Sequence, residues 1–295
     1  MRLVVTGLTG QVVSALIERA PREVEIIAIG RPQLDLSMRT AVLATLRATR
    51  CDAIVNAAAY TAVDRAESEP DVAMRVNCDG AGYVAEIAAE LGAPLVHLST
   101  DYVFDGALNR PYREDDAPNP TTAYGRSKLA GERKIANTYD NHAILRTAWV
   151  YSPFGVNFVK TMLRLGAVQS EVAVVADQTG NPTSALDLAD AILAVAARMC
   201  RDPSPSLRGT FHMTGRGETT WADFAHAIFA VSSAQGRAPV AVKRIATTDY
   251  PTAARRPANS RLDNAKLTRA FGLALPNWRD SVTQCVERLL ASEVG

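Results

Sequence analysis

The chain has 295 residues, of which 47% are hydrophobic and 21% charged, with 32 basic side chains against 31 acidic ones. This length allows one large α/β domain that carries a smaller lobe. The near balance of charge disfavours nucleic acid or an anionic membrane as a partner, while an anionic small molecule could still bind at a local site.

The cysteines and histidines predict neither disulfides nor a metal site. Cys51, Cys78, Cys200 and Cys285 form no CxxC pair, and no histidine lies at ligand spacing from a cysteine or another histidine. No apolar run reaches the roughly 20 residues that cross a bilayer, and the chain enters a predicted strand at once, which leaves no room for a signal peptide. We therefore expect reduced thiols, no metal, no membrane contact and a cytoplasmic location.

Up to about residue 150, predicted strands alternate with predicted helices. The strands cover 2–6, 25–29, 53–56, 94–99 and 142–149, and the helices cover 10–19, 39–49, 79–91 and 124–139. Strands that are apolar on both faces and alternate with helices of this length predict a parallel sheet covered on both sides. The predicted fold class is α/β, a Rossmann-type doubly wound sheet.

After residue 150 the alternation loosens. Helices are predicted over 157–165, 184–198, 221–231 and 278–291, and strands over 172–175 and 210–213. Our interpretation is a dinucleotide-binding domain over 1–152, to which 178–215 returns. A smaller C-terminal substrate-binding lobe would consist of 153–177 and 216–295.

A glycine-rich turn follows the first predicted strand. Gly7 and Gly10 occupy the first two positions of a GxxGxxG spacing, and Val13 stands at the third. Such a turn lets backbone N–H groups approach a pyrophosphate at a helix N-terminus, although an ordinary turn also favours glycines. The second strand ends in Gly30-Arg31, where NAD sites usually carry an acid, and a guanidinium there can accommodate the 2′-phosphate of NADP. We therefore expect NADPH, with NADH possible.

The sequence Tyr124-Gly125-Arg126-Ser127-Lys128 places a phenol and an ammonium on one face of a predicted helix. A nearby cation favours the phenolate, so we expect Lys128 to lower the pKa of Tyr124. The same spacing also occurs on solvent-facing helices. Thr100, however, places a hydroxyl at the end of the fourth strand, at the same sheet edge as the glycine turn and the Tyr/Lys pair. This convergence favours catalysis.

Seven stretches resemble the extended short-chain dehydrogenase/reductase family and, within it, the dTDP-4-dehydrorhamnose reductases. The seven stretches are VNAAAYTAVDRAESEP (55–70), STDYVFDG (99–106), YGRSKLAGE (124–132), RTAWVY (146–151), NFVKTMLRL (157–165), DQTGNPT (177–183) and RPANSRL (256–262). Of these, STDYVFDG and DQTGNPT are the most specific to the family.

The resemblance implies NADPH-dependent reduction of the 4-keto group of dTDP-4-dehydro-6-deoxy-L-mannose, a dTDP-linked 4-keto-6-deoxy sugar, to dTDP-L-rhamnose. It implies a catalytic set of Thr100, Tyr124 and Lys128. With the turn and Arg31, the expected cofactor-binding residues are Gly7, Gly10, Gln11, Val12, Arg31, Asp35, Leu36, Ala59, Tyr60, Thr61, Tyr124 and Lys128. The expected substrate-binding residues are Thr100, Asp101, Trp149, Asn157 and Phe158.

The resemblance leaves three points open. Some family members are dimers bridged by magnesium through glutamates, but Ala15 and Leu186 stand at the corresponding positions, so we predict no metal site and a monomer or homodimer. The substrate could be another dTDP-deoxysugar. A non-catalytic NADP-binding regulatory subunit is a further alternative, which the intact catalytic set disfavours. An epimerase or dehydratase that retains NAD is another, which Gly30 disfavours because it stands where such enzymes usually carry an acid.

Overall fold

The computed structural model describes residues 1–292. Its strands are β1 (Arg2–Thr6), β2 (Glu25–Ile29), β3 (Ala53–Asn56), β4 (Leu95–Thr100), β5 (His142–Thr147), β6 (Val150–Tyr151), β7 (Glu171–Val175), β8 (Thr179–Gly180), β9 (Thr183–Ser184), β10 (Gly209–His212), β11 (Thr219–Thr220) and β12 (Ala241–Ile245). Its helices are α1 (Gln11–Arg19), α2 (Arg39–Arg47), α3 (Val63–Ser68), α4 (Pro70–Met74), α5 (Gly80–Leu91), α6 (Ala123–Thr138), α7 (Phe158–Gly166), α8 (Ala185–Arg201), α9 (Trp221–Ala234), α10 (Ala265–Phe271) and α11 (Trp278–Ala291). Among these helices, none is both long and apolar enough to span a membrane.

A six-stranded parallel sheet in the order β10-β5-β4-β3-β1-β2 forms the centre of the fold. This confirms the predicted doubly wound α/β class. Consecutive residues of a strand face opposite sides, so Leu3 and Val5 join the core beneath α1 and α8, while Val4 joins the core beneath α2 and α5. The carboxyl ends of the strands meet at one edge, where ligands bind in such sheets.

The C-terminal part contains a separate hydrophobic cluster, in which α7, α9 and α11 pack around Tyr151, Phe224 and Trp278. The parallel pair of β7 and β12 lies beside α9. Helix α8 packs on α1, and β10 pairs with β5. The division into 1–152 with 178–215 and 153–177 with 216–295 stays a prediction, and Leu267 and Leu275 of the second part pack in the core beneath α1 and α8.

Helix α6 lies unusually close to its neighbours because two of its residues lack a side chain. A Cβ on Gly125 would collide with the carbonyl oxygen of Tyr102, and a Cβ on Gly131 with that of Asn77. At its start, the Thr122 hydroxyl accepts a hydrogen bond from the Gly125 N–H at 3.0 Å, a standard N-cap. The glycines thus allow α6 to pack closely against the turn after β4 and against the segment that precedes α5.

A buried ion pair ties α6 to the sheet. The Arg146 guanidinium on β5 forms two hydrogen bonds with the Glu132 carboxylate, at 2.6 and 2.9 Å, and both side chains are 5% exposed. The Ser99 hydroxyl on β4 also donates to Glu132. Because Glu132 lies one turn after Lys128, this pair fixes the helical turn that carries the lysine.

We predict that Arg146→Met lowers the free energy of unfolding by about 3–5 kcal/mol, since it leaves the Glu132 carboxylate buried without its partner. Urea unfolding followed by circular dichroism measures the change. The matched control is Arg47→Met, which removes an exposed pair with Glu90 and should change the free energy of unfolding little. Equal losses in the two variants would contradict a structural role for the buried pair.

Candidate active site

Tyr124 lies in the first turn of α6, next to the end of β4. Its side chain is buried, and burial raises the pKa of the phenol well above its usual value. A hydrogen bond with the Thr100 hydroxyl opposes this shift, whereas the Asp101 carboxylate and the neighbouring Tyr102 add to it. The expectation that Lys128 lowers this pKa is therefore not met in the protein alone. A phenol that keeps its proton at neutral pH is suited to donate it.

Lys128 is buried one turn further along α6. Its ammonium donates a hydrogen bond to the Leu98 carbonyl at 2.7 Å, and Nζ lies 3.2 Å from His97 Nε2. Burial lowers the pKa of Lys128 to about 8, and the negative charge of Glu132 partly opposes that shift. The lysine therefore still carries its charge at neutral pH.

Asp101 lies between Thr100 and a loop from the C-terminal part of the chain. The Thr100 hydroxyl donates to Asp101 Oδ1 at 2.9 Å, and Oδ2 is buried with no partner in residues 1–292. Burial raises the pKa of Asp101 to about 6, although hydrogen bonds with Ser260 and Thr100 oppose the shift. In the described part of the chain, one oxygen of the Asp101 carboxyl group is therefore an unused acceptor buried beside Thr100.

Two residues of the RPANSRL stretch belong to this neighbourhood, although the sequence reasoning assigned them no role. Ser260 is close enough to Asp101 to lower the pKa of its carboxyl group, and Arg256 pairs with Asp64 while its charge lowers the pKa of the half-buried Tyr102. The only signal for these two residues in the sequence was that the RPANSRL stretch resembles the family. Their position beside Asp101 depends on a contact between distant parts of the chain.

Trp149 stands where the predicted fifth strand ends. The prediction extended this strand to residue 149, but it stops at Thr147, and Trp149 adopts a left-handed backbone with φ +48°. Such a conformation is strained for an aromatic residue and is common at functional sites. The indole stacks on Trp221 with ring centroids 3.6 Å apart, and Phe158 packs on Trp221 at 4.6 Å. The structure thus gathers two predicted substrate residues into one aromatic cluster.

A hydrogen bond joins the side chains of Asn157 and Gln11. Asn157 caps α7 and donates from Nδ2 to Gln11 Oε1 at 3.0 Å, and the Ser152 hydroxyl donates to the same oxygen at 2.8 Å. Gln11 opens α1, directly after the glycine turn. A predicted substrate residue is therefore hydrogen-bonded to a predicted cofactor residue.

The glycine turn has the backbone that a phosphate cradle needs. Gly7 has φ +106°, and Gly10 is the N-cap of α1 without any side-chain cap, so the first N–H groups of the helix are not used by a capping side chain. Val13 is buried and its Cγ2 would lie 3.2 Å from a Cβ on Gly7. The missing side chain of Gly7 thus makes room for the valine at the third glycine position, while Val12 is half-buried beside the same turn.

Gly30 also packs against this turn. A Cβ there would lie 3.0 Å from Leu8 Cγ and 3.3 Å from the Gly7 backbone, which explains why no larger residue stands at this position. Arg31 is exposed immediately after it. Asp35 accepts hydrogen bonds from the Ser37 N–H and hydroxyl, which lower its pKa together with the nearby charge of Arg31.

The remaining predicted cofactor residues surround the same edge of the sheet. Leu36 is buried under Gly80 at the start of α5. Ala59, Tyr60 and Thr61 follow β3. Asn77 fixes this segment, because it bonds the Tyr60 N–H at 2.8 Å and carbonyl at 3.0 Å and also donates to Ser127 on α6. The loop after β3 is therefore held against the helix of Tyr124 and Lys128.

Comparison with known proteins gives one consistent family. The model of the RmlD substrate binding domain matches residues 1–291. A dTDP-4-dehydrorhamnose reductase of Sinorhizobium fredii is 52% identical over 98% of this chain and 98% of its own, and one of Escherichia coli K12 is 44% identical over 88% and 86%.

Solved structures of proteins with the same name resemble this chain over nearly its whole length. A dTDP-4-dehydrorhamnose reductase of Clostridium acetobutylicum matches with a TM-score of 0.91 at 36% identity, over 98% of this chain and 100% of its own. One of Bacillus anthracis, solved in complex with NADP, matches with a TM-score of 0.90 at 35% identity, over 97% and 99%. The described edge of the sheet, with its glycine turn, buried Tyr124 and buried Lys128, thus lies in a chain that belongs to the RmlD substrate binding domain family.

Proposed function

We infer that this chain is an NADPH-dependent dTDP-4-dehydrorhamnose reductase, which reduces the 4-keto group of its dTDP-linked sugar to give dTDP-L-rhamnose. The observation that carries this inference is a buried Tyr124 phenol, protonated at neutral pH, beside the Thr100 hydroxyl and one helical turn before the buried Lys128 ammonium. A relative that is 52% identical over 98% of this chain is named dTDP-4-dehydrorhamnose reductase.

The residues at the sheet edge fit NADPH. Gly7 and Gly10 leave backbone space and unused helix N–H groups for a pyrophosphate. Arg31 offers a guanidinium for the 2′-phosphate, and Gly30 removes the acid that would bind a free 2′-hydroxyl. Gln11, Val12, Asp35, Leu36, Ala59, Tyr60 and Thr61 are the further residues that we propose to hold the dinucleotide.

In the proposed reduction, the cofactor supplies the hydride, and the protein supplies the proton and stabilises the charges. When bound, NADPH supplies the hydride. Tyr124 donates its proton to the oxygen of the keto group as that oxygen gains negative charge. The Thr100 hydroxyl, which donates to Asp101 in the free protein, turns its single proton to the same keto oxygen and so stabilises the developing charge. Lys128 provides a positive charge that favours the phenolate left behind.

We propose that the sugar nucleotide binds between Asp101 and the aromatic cluster. The buried carboxyl group of Asp101 can accept hydrogen bonds from sugar hydroxyls. Trp149 and Phe158 offer apolar surfaces, and Asn157 lies beside them. A cytoplasmic location and a monomer or homodimer fit an enzyme that consumes NADPH, and both belong to this proposal.

Tyr124→Phe should lower kcat/KM for dTDP-4-dehydrorhamnose by about 10²–10⁴-fold, since it removes the proton donor but keeps the ring. The assay follows NADPH absorbance and identifies the product configuration by NMR, and a separate titration checks that NADPH still binds. Tyr250→Phe alters an exposed tyrosine and should leave the rate unchanged. Full turnover by the Tyr124 variant would exclude the proposed mechanism.

Arg31→Ala should raise the KM for NADPH roughly tenfold and leave the KM for NADH nearly unchanged. The reason is that a charged hydrogen bond to the 2′-phosphate contributes about 1.5–3 kcal/mol, of which water replaces a part. Steady-state kinetics with both cofactors measures the ratio. Arg22→Ala changes another exposed arginine and serves as the control. An equal effect on both cofactors would argue against Arg31 as the 2′-phosphate ligand.

A further inference from the structure

A line of polar side chains crosses the buried part of the sheet and ends at Lys128. Thr6 lies opposite Asn56 in the register of β1 and β3, and Asn56 lies opposite His97 in the register of β3 and β4. The distances are 2.7 Å from Thr6 Oγ1 to Asn56 Oδ1, 3.1 Å from Asn56 Nδ2 to His97 Nδ1 and 3.2 Å from His97 Nε2 to Lys128 Nζ. All four side chains are at most 2% exposed.

Such a line is costly in a sheet whose other buried residues are largely apolar, because buried polar groups destabilise a fold unless they are hydrogen-bonded. Here each group has partners. Thr6 Oγ1 also accepts from the Ala58 N–H at 3.0 Å, and Lys128 also donates to the Leu98 carbonyl. These hydrogen-bonded side chains connect β1, the strand before the glycine turn, with Lys128, the proposed catalytic lysine.

The ring of His97 restricts how the protons are arranged. Burial and the charges of Lys128 and His142 lower the pKa of His97 well below its usual value, so the imidazole is neutral and has one donor and one acceptor nitrogen. Both ring nitrogens, however, face a nitrogen atom. A charged Lys128 can only donate, which makes Nε2 the acceptor and puts the ring proton on Nδ1.

The Asn56 amide must then present its oxygen to Nδ1. A rotation of this amide by 180° exchanges its oxygen and nitrogen, which have nearly the same shape. Its nitrogen then donates to Thr6 Oγ1, and its oxygen accepts from His97. All heavy-atom distances stay as they are.

We propose that His97 is a positioning residue for the reduction: as the neutral Nδ1–H tautomer, held by Asn56, it accepts a hydrogen bond from Lys128 and fixes the direction of the ammonium. The proposal rests on the function inferred above for Lys128. The Leu98 carbonyl and His97 engage two of the three N–H groups of the ammonium. Because the ammonium is tetrahedral, these two contacts determine the direction of its third N–H group.

The charges around this pair set its pH dependence. On α6, Glu132 favours the charged lysine, and on β5, His142 disfavours a charged His97. The Lys128 ammonium therefore exists below its pKa of about 8 and loses its proton as the pH rises through that value. Removal of the acceptor at His97 Nε2 would destabilise the charged form and lower this pKa further.

The first test uses the free protein and needs no activity. Nitrogen-15 NMR of the four histidine rings distinguishes the two neutral tautomers, and His97→Gln identifies the signals of His97 by their loss. We expect the Nδ1–H tautomer at neutral pH. An Nε2–H tautomer or a charged ring would overturn the proposal.

The second test compares side chains that reach different atoms. The amide of His97→Gln can reach the position of Nε2 and should keep kcat within about threefold of the parent, while His97→Asn reaches only Nδ1 and should lose about tenfold. In His97→Asn, the basic limb of the kcat profile should also move to lower pH. His226→Gln, on an exposed site of α9, is the control.

These outcomes separate the two inferences. An inactive parent enzyme with the Nδ1–H tautomer would contradict the proposed function and leave the His97 hydrogen bond supported. An active parent whose His97→Asn variant keeps the parental rate and pH profile would overturn the positioning role. Equal losses in the Gln and Asn variants with an unshifted profile would also overturn it, because they would indicate a purely structural effect.

Discussion

The burial of the Lys128 ammonium against the sheet is the interaction on which the rest of the site depends. Taking a charge out of water costs free energy, and hydrogen bonds from the ammonium to the Leu98 carbonyl and His97 offset part of that cost. These contacts require α6 to lie close to β4. Gly125 allows α6 to approach the turn that follows β4, at the carbonyl of Tyr102.

The same desolvation acts in opposite directions on the two groups of the Tyr/Lys pair. It disfavours a charged phenolate and raises the pKa of Tyr124, and it disfavours a charged ammonium and lowers the pKa of Lys128. The phenol consequently keeps its proton, and the ammonium stays charged only up to about pH 8. In this state the phenol holds the proton that a forming alkoxide would take, and the ammonium holds a positive charge one helical turn away.

Much of the fold and the motif residues could be predicted from the sequence, because both depend on local patterns. Apolar strands and helices up to residue 150 predicted the parallel sheet, but the exposed strand β12, with sequence AVKRI, lacks that apolar signal and was missed. The left-handed Trp149 and the contact of Ser260 with Asp101 depend on tertiary packing. In the protein without a cofactor, burial raises the pKa of Tyr124, an effect that helical spacing could not predict because it reveals a neighbouring charge but not the depth of burial. The Thr6–Asn56–His97 line depends on strand register, which three isolated polar residues do not reveal.

In the function proposed above, this chain transfers a hydride from NADPH to C4 of a dTDP-linked 4-keto sugar. The most direct measurement uses NADPH that carries deuterium at the transferable position, with dTDP-4-dehydrorhamnose as substrate and NMR of the purified product. We expect dTDP-L-rhamnose with deuterium at C4. A product without deuterium at C4, or unchanged substrate in the presence of bound NADPH, would contradict it.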